Sequence, residues 1–424
     1  MKINRRTPPP PAPLATPSLL PCQQFALGNG LQVTCLHDPS RELVKIDVSL
    51  PCGAYHQPRP IVASTALNLL NEGTSTRPAE EIADFLDFHG AFLDLSCGMH
   101  RSEIGILSLA RHATGMIDML ASMILDSTFP RREMEIYLRN KKQQHADNME
   151  KTSYLAREAF LRLLHGERHP YANRVEAGDF DRVTSEEARA FHRSRLSAPG
   201  CRVVLSGNID DALPRAIERH LAAMPGEPLR PDAETPTDPA PPGLYRVSKP
   251  GAVQASLRVG KSGVRLDDED HAPFQLLNMA LGGYFGSRLM SNIREDKGYT
   301  YGIQSANVNL ARGAYWMILA DVNARHAEAT VDEIRKEIRR LQEEPMSDEE
   351  LQLVKTCYHG EVLQTLDGVF AQADALKYYL EHGTDASFCL RALEQARRCT
   401  PESLMLLARK HLSLDEMYTV IVGP

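Results

Sequence analysis

Arg294 and Tyr301 stand seven residues apart around Gly298. A guanidinium fork and a phenol hydroxyl are both donors, able to stabilise an oxyanion or anchor a peptide backbone. The plainer readings are that Arg294 pairs with Glu295 or another acid, and that Tyr301 packs in a sheet as a β-former. His165 and His169 have the i, i+4 spacing of a zinc helix with Glu167 between them, but Gly166 interrupts the turn and Pro170 follows directly. A surface turn after a helix over 154–164 is therefore expected, with no metal. His89, His100 and His112 lie on segments that read as strands and turns, without ligand spacing, and are expected to be structural or solvated. Gly282, Gly283 and Gly286 bracket Tyr284 and Phe285 after a helix. A phosphate cradle needs its glycines between a strand and a helix N-terminus, so this cluster points to close backbone packing beside a groove, not to nucleotide. The eight cysteines are scattered with no C-x-x-C pair, which signals neither a disulfide framework nor a cysteine zinc site.

The elements that must position these residues occur as one plan written twice. In the first half a β-branched run over 43–50 precedes a helix near 63–70. An amphipathic segment then ends at Gly90, followed by strands over 91–97 and 103–110 and a helix over 114–125. The second half repeats the order: a strand over 253–259, helices over 272–281 and 287–296, a turn at Gly298, strands over 299–307 and 314–322, and a helix over 327–341. Each copy continues with a proline turn, Phe129-Pro130 or Glu344-Pro345, and another long helix. Duplication of this kind predicts two related α/β domains. The stretch 225–242, rich in proline and acidic residues, is the expected linker between them.

Composition sets outer limits. A chain of 424 residues exceeds what one hydrophobic core usually supports. With 42% hydrophobic and 24% charged residues it reads as an ordinary globular protein. A net charge of -7 argues against nucleic acid, and no run of eighteen apolar residues offers a membrane span. The first residues, MKINRRTPPPPAPLATP, have basic groups but prolines where an export signal needs an apolar core. A disordered proline-rich arm over 1–21 and a cytoplasmic location are the expectations.

Five motifs then carry a resemblance over nearly the whole chain. FALGNGL (25–31) is similar to an L-x-N-G-L start, Pro51 to Tyr55 to a G-S-x-Y strand end, and Asn71 to Thr74 to F-K-G-T. Leu163 to Tyr171 is similar to L-x-Y-G-x-H-P-Y, and LGGYFGSRLMSNIREDKGYTYGI (281–303) to a C-terminal signature. Together they resemble the insulinase/pitrilysin-like zinc metallopeptidases, which include the mitochondrial processing peptidases. The resemblance implies an α+β fold of two homologous α/β sandwich domains, 22–224 and 243–424. Each would be a mixed, mostly antiparallel sheet with helices packed on it, the pair enclosing a chamber for an unfolded peptide.

It also implies where zinc should sit. In the family's H-x-x-E-H two imidazoles on successive turns grip the metal, and the carboxylate takes a proton from the bound water. Ser64, Leu67 and Asn68 occupy those three places, and Asn140 falls where the resemblance expects a third, glutamate ligand. Neutral amide and hydroxyl oxygens are too weak to replace imidazole and carboxylate. No metal or other cofactor is expected, although the family uses zinc. What survives is Arg294 and Tyr301, the pair with which the family reaches the scissile carbonyl. The resemblance thus implies a noncatalytic subunit that lends these two residues in trans to a zinc-bearing paralogous partner. A homodimeric peptide-binding scaffold and an active peptidase with unconventional ligands stand as alternatives.

Overall fold

A computed structural model describes residues 14–172, 174–233 and 235–424. Two mixed sheets organise them. The first contains β1 (Cys22–Ala26), β2 (Gln32–His37), β3 (Leu43–Leu50), β4 (Phe92–Cys97), β5 (Ser102–Leu109) and β6 (Arg202–Gly207), in the order β1-β2-β6-β3-β5-β4. The second contains β7 (Gly243–Ser248), β8 (Gln254–Ser262), β9 (Thr300–Leu310), β10 (Gly313–Asn323) and β11 (Tyr418–Gly423), in the order β7-β11-β8-β10-β9. Apart from β1, the two orders coincide strand for strand. Each has a single parallel pair, β2 with β6 and β7 with β11, and antiparallel ladders elsewhere. The edge strands β4 and β9 are therefore equivalents.

The first half carries helices α1 (Val62–Asn68), α2 (Ala79–Phe88), α3 (Ala113–Asp126), α4 (Arg131–Met149), α5 (Thr152–His165), α6 (Ser185–Arg195) and α7 (Ala212–Leu221). The second carries α8 (His271–Asn278), α9 (Ala327–Glu343), α10 (Asp348–Thr365), α11 (Gly368–Glu381), α12 (Phe388–Arg398) and α13 (Pro401–His411), with π-helical turns at Met279–Gly283 and Met290–Asp296. Apolar residues at helical spacing decide which face each helix buries. In α3, Met116, Ile117, Leu120, Met123 and Ile124 all face the first core.

Two helices cross over to the other half's sheet. Ala156, Ala159, Phe160 and Leu164 of α5 pack on Tyr315, Met317, Tyr418, Val420 and Val422 of the second sheet. Reciprocally, Val369, Ala373 and Leu376 of α11 pack on Leu36 and Val204 of the first. Both faces of each sheet are thereby covered, so the central strands can be apolar without alternation, as VVL in β6 and VIV in β11 are. Burial of Phe160 alone contributes roughly 1.5–3 kcal/mol. Polar groups add to the crossing: Lys377 of α11 meets the buried Asp47 of β3 at 3.1 Å.

Residues 1–13 of the expected disordered arm lie outside the described residues. Over 14–21 that expectation does not hold. The Leu20 amide donates to Gln372 Oε1 at 2.8 Å, Gln372 Nε2 donates to the Ser18 carbonyl, and Leu19 and Leu20 pack beside α10–α12. These leucines supply apolar area that the prolines before them lack. The described residues of 225–242 have no regular structure, yet Asp238 and Ala240 amides donate to the His165 and Leu163 carbonyls at the end of α5. Among the described residues no helix is long and apolar enough to cross a membrane.

Candidate functional site

Helix α1 and helix α4 lie side by side where the zinc frame was expected. Among the described residues the only non-glycine residues with positive φ are Ile61, at 66°, and Phe129, at 50°, and they stand at the entries of these two helices. A β-branched residue in this region is a backbone outlier costing on the order of 1–3 kcal/mol, tolerated where the surroundings over-determine it. The strained frame of a site is thus present.

Its chemistry is not that of a metal centre. Ser64 Oγ donates to the Ile61 carbonyl at 3.1 Å, which uses its hydroxyl inside its own turn. Asn68 Nδ2 donates to the Ser64 carbonyl at 2.8 Å and to Tyr137 Oη at 3.4 Å. Leu67 is buried in the first core. The structure does not bring Asn140 to this place: it is exposed, and the residues that α4 turns toward Ser64 are Tyr137, Lys141 and Gln144. A one-residue step on a helix rotates a side chain by about 100°, so an assignment counted along the sequence misses the face easily. Burial pushes the Tyr137 hydroxyl up to about 12, which keeps it a neutral donor. An ammonium, three amides, a serine hydroxyl and a protonated phenol, with His145 as the one imidazole among the described lining residues, do not make the set of thiolate, imidazole or carboxylate ligands that zinc requires. Among the described residues no three His, Cys, Asp or Glu side chains are grouped to hold a metal ion.

The second half presents Arg294 and Tyr301 differently from either plain expectation. Arg294 forms no ion pair among the described residues; its guanidinium stacks on the Phe285 ring with 4.3 Å to the centroid. Tyr301 is 93% exposed at the start of β9, not packed in the sheet. Tyr301 and Phe285 line one cleft of about 700 Å³ together with Tyr284, Gln304 and Asp321. The π-helical turn that carries Arg294 is anchored from behind. Arg288 forks onto Glu350 at 2.7 and 2.8 Å, and Asn292 Nδ2 donates to Glu333 and Glu337. Gly298, at φ +65°, ends that turn and sends the chain into β9, as the spacing predicts. Gly282 allows the close packing expected of the glycine cluster, since a Cβ there would meet the Ser305 backbone nitrogen at 2.8 Å.

The expectation for His165 and His169 needs correction. His165 and His169 are buried, not part of a surface turn, and their rings stack at 5.3 Å. His100 is not isolated: Tyr171 Oη accepts from the Arg312 amide at 3.1 Å, which leaves its own proton for His100 Nε2 at 2.9 Å. Arg312, at the tip of the β9–β10 hairpin, lies 4.8 Å over the Tyr55 ring, while Asp232 bridges His56 at 2.9 Å, Arg195 at 2.9 Å and Arg312 at 3.3 Å. Burial depresses His56, His100 and His165 to about 4. This cluster is a seam between the halves. Its cause is tertiary, because the hairpin and the 225–242 segment cover rings that the sequence alone leaves at the surface. His89 and His112 pack edge to face at 4.8 Å.

Comparison with known proteins agrees with this geometry. The family model "Peptidase M16 inactive domain" matches residues 182–357. An uncharacterized zinc protease of Bacillus subtilis is 22% identical over 352 residues, 81% of this chain and 84% of the relative. A probable inactive metalloprotease of the same organism is 21% identical over 214 residues, 49% of each chain. The crystal structure of a peptidase M16 inactive domain from Pseudomonas fluorescens superposes with a TM-score of 0.88 at 23% identity, covering 96% of this chain and 98% of that one. A protease from Helicobacter pylori gives 0.84 at 17% identity, over 96% and 100%. With its duplicated sheets and the frame around α1, the chain is similar over most of its length to insulinase-like M16 peptidases and shares the fold of a peptidase M16 inactive domain.

Proposed function

We propose that this chain is a subunit of an insulinase-like peptidase that works through a zinc-bearing partner, contributing substrate-chamber walls together with Arg294 and Tyr301. The observation that carries the reading is the exposure of Tyr301 beside a cleft whose other wall holds Arg294 on Phe285. An exposed phenol and an arginine without an acidic partner do nothing for this fold by themselves. Aimed from a second subunit at a scissile carbonyl, they supply two donors to the developing oxyanion. The edge strand β9 also leaves backbone groups free to receive an extended peptide.

Reconstitution tests this. The purified chain is mixed with a zinc-bearing relative and cleavage of an unfolded peptide is followed. The expected result is faster turnover by the mixture than by the relative alone, together with a heterodimer on size analysis. Equal rates would defeat the proposal, and a homodimer that binds peptide without stimulating any peptidase would favour a scaffold.

A further inference from the structure

Resting on the proposed handling of peptides, we infer that the degenerate zinc pocket has become a carboxylate pocket that takes the C-terminal residue of a peptide. The cavity between α1, α4 and α5 measures about 190 Å³. No aspartate or glutamate lines it, whereas Lys141, Tyr137, Gln144 and Asn148 do. A metal pocket surrounds a cation with anionic or imidazole ligands; this one surrounds its centre with one ammonium and several neutral donors, the pattern that favours an anion.

Lys141 is free to serve in this way. It forms no ion pair among the described residues, while its neighbour Lys142 is engaged by Asp181 at 2.7 Å. The Lys141 ammonium lies 5.7 Å from the centroid of the Tyr137 ring and donates to Gln144 Oε1 at 3.1 Å, both neutral partners. Tyr137, Lys141, Gln144 and Asn148 follow one another at helical spacing, so a single face of α4 presents these four polar groups. The remaining walls are largely aliphatic and aromatic. The His145 ring stands 6.3 Å from Tyr154 and 5.5 Å from Phe180, which suits an apolar side chain beside the carboxylate. At ~30 Å³ per water the volume holds about six waters, the room that one terminal residue needs.

The test uses the full chain in low salt with an N-terminally fluorescein-labelled hexapeptide ending in leucine, as free acid and as C-terminal amide. Anisotropy is expected to show the acid binding about tenfold or more tightly than the amide. Lys141→Met should erase that preference, and Lys141→Arg should keep most of it. Lys141 is exposed on its helix, so circular dichroism of both variants is expected to match the parent. Equal affinity for acid and amide, or a preference untouched by Lys141→Met, overturns the inference. So does acetate that displaces the peptide at equal concentration, since the pocket would then belong to free small carboxylates. The outcome is separable from the subunit reading, because stimulation of a zinc-bearing relative depends on Arg294 and Tyr301, which Lys141 does not touch. A stimulating mixture without acid preference defeats the pocket alone, and acid preference without stimulation defeats the subunit reading alone.

Discussion

Arg294 and Tyr301 differ from ordinary surface residues in what holds them. The arginine is fixed by a ring face and the tyrosine by its strand, and neither has a polar partner of its own within this chain among the described hydrogen bonds and ion pairs. In a reconstituted pair, Tyr301→Phe and Arg294→Ala should each lower turnover by about 10²-fold, the usual consequence of losing one oxyanion donor. Stability should move by no more than ~1 kcal/mol, since only an exposed hydroxyl or a cation–π contact is removed. A loss of turnover matched by a fall in melting temperature would argue for a structural role. The ligand places make an independent statement. After incubation with zinc and dialysis, metal should remain well below one atom per chain, because Ser64, Asn68 and Tyr137 offer only neutral groups already hydrogen-bonded within the frame. Stoichiometric zinc that is lost on Asn68→Ala substitution would refute that.

Among the elements, α5 and α11 matter most, because each closes the sheet of the half to which it does not belong by sequence. Phe160 is fully buried against the second sheet from a helix of the first half. Phe160→Ala should cost about 3–5 kcal/mol in urea unfolding, with both halves losing structure in one transition. Phe88→Ala, at a position 86% exposed, should stay within about 0.5 kcal/mol. Two separate transitions in the Phe160 variant would mean that the exchanged helices do not couple the halves. The helices and hairpins formed by neighbouring residues were readable from periodicity, as α3, α9 and the β9–β10 pair show. The strands β6 and β11 are not legible in this way, although their apolar runs are clear, because their partners lie far away in sequence and a short apolar run does not name its neighbour.

For the whole molecule the seam of buried histidines sets the response to pH. His56, His100 and His165 are held neutral in the folded chain, at about 4, while in the unfolded chain they titrate near ~6.5. Unfolding therefore takes up protons between these limits, so stability is full above about pH 6.5 and is lost as pH falls toward 4. A shift of this size corresponds to roughly 3 kcal/mol for one group acting alone, and the sum is smaller than three times that, since part of the His100 shift is repulsion from His56. Melting temperature should fall steadily from pH 6.5 to 4.5, and His165→Gln should flatten the slope. A melting temperature constant over that range would remove the seam as the acid-sensitive part.

Read alone, the chain already determined its duplicated plan, its resemblance to the insulinase-like peptidases and the neutral residues at Ser64, Leu67 and Asn68, because these depend on residue type and local period, which are properties of neighbours along the chain. The tertiary structure decided which face of α4 looks at Ser64, so Tyr137 and Lys141 displace Asn140 from the pocket. It likewise decided that His165 and His169 are covered, and that each sheet borrows a helix from the other half. These outcomes depend on contacts between residues far apart in sequence, 69 positions in the case of Asn68 and Tyr137, and no local spacing encodes which distant surface arrives to bury a given side chain.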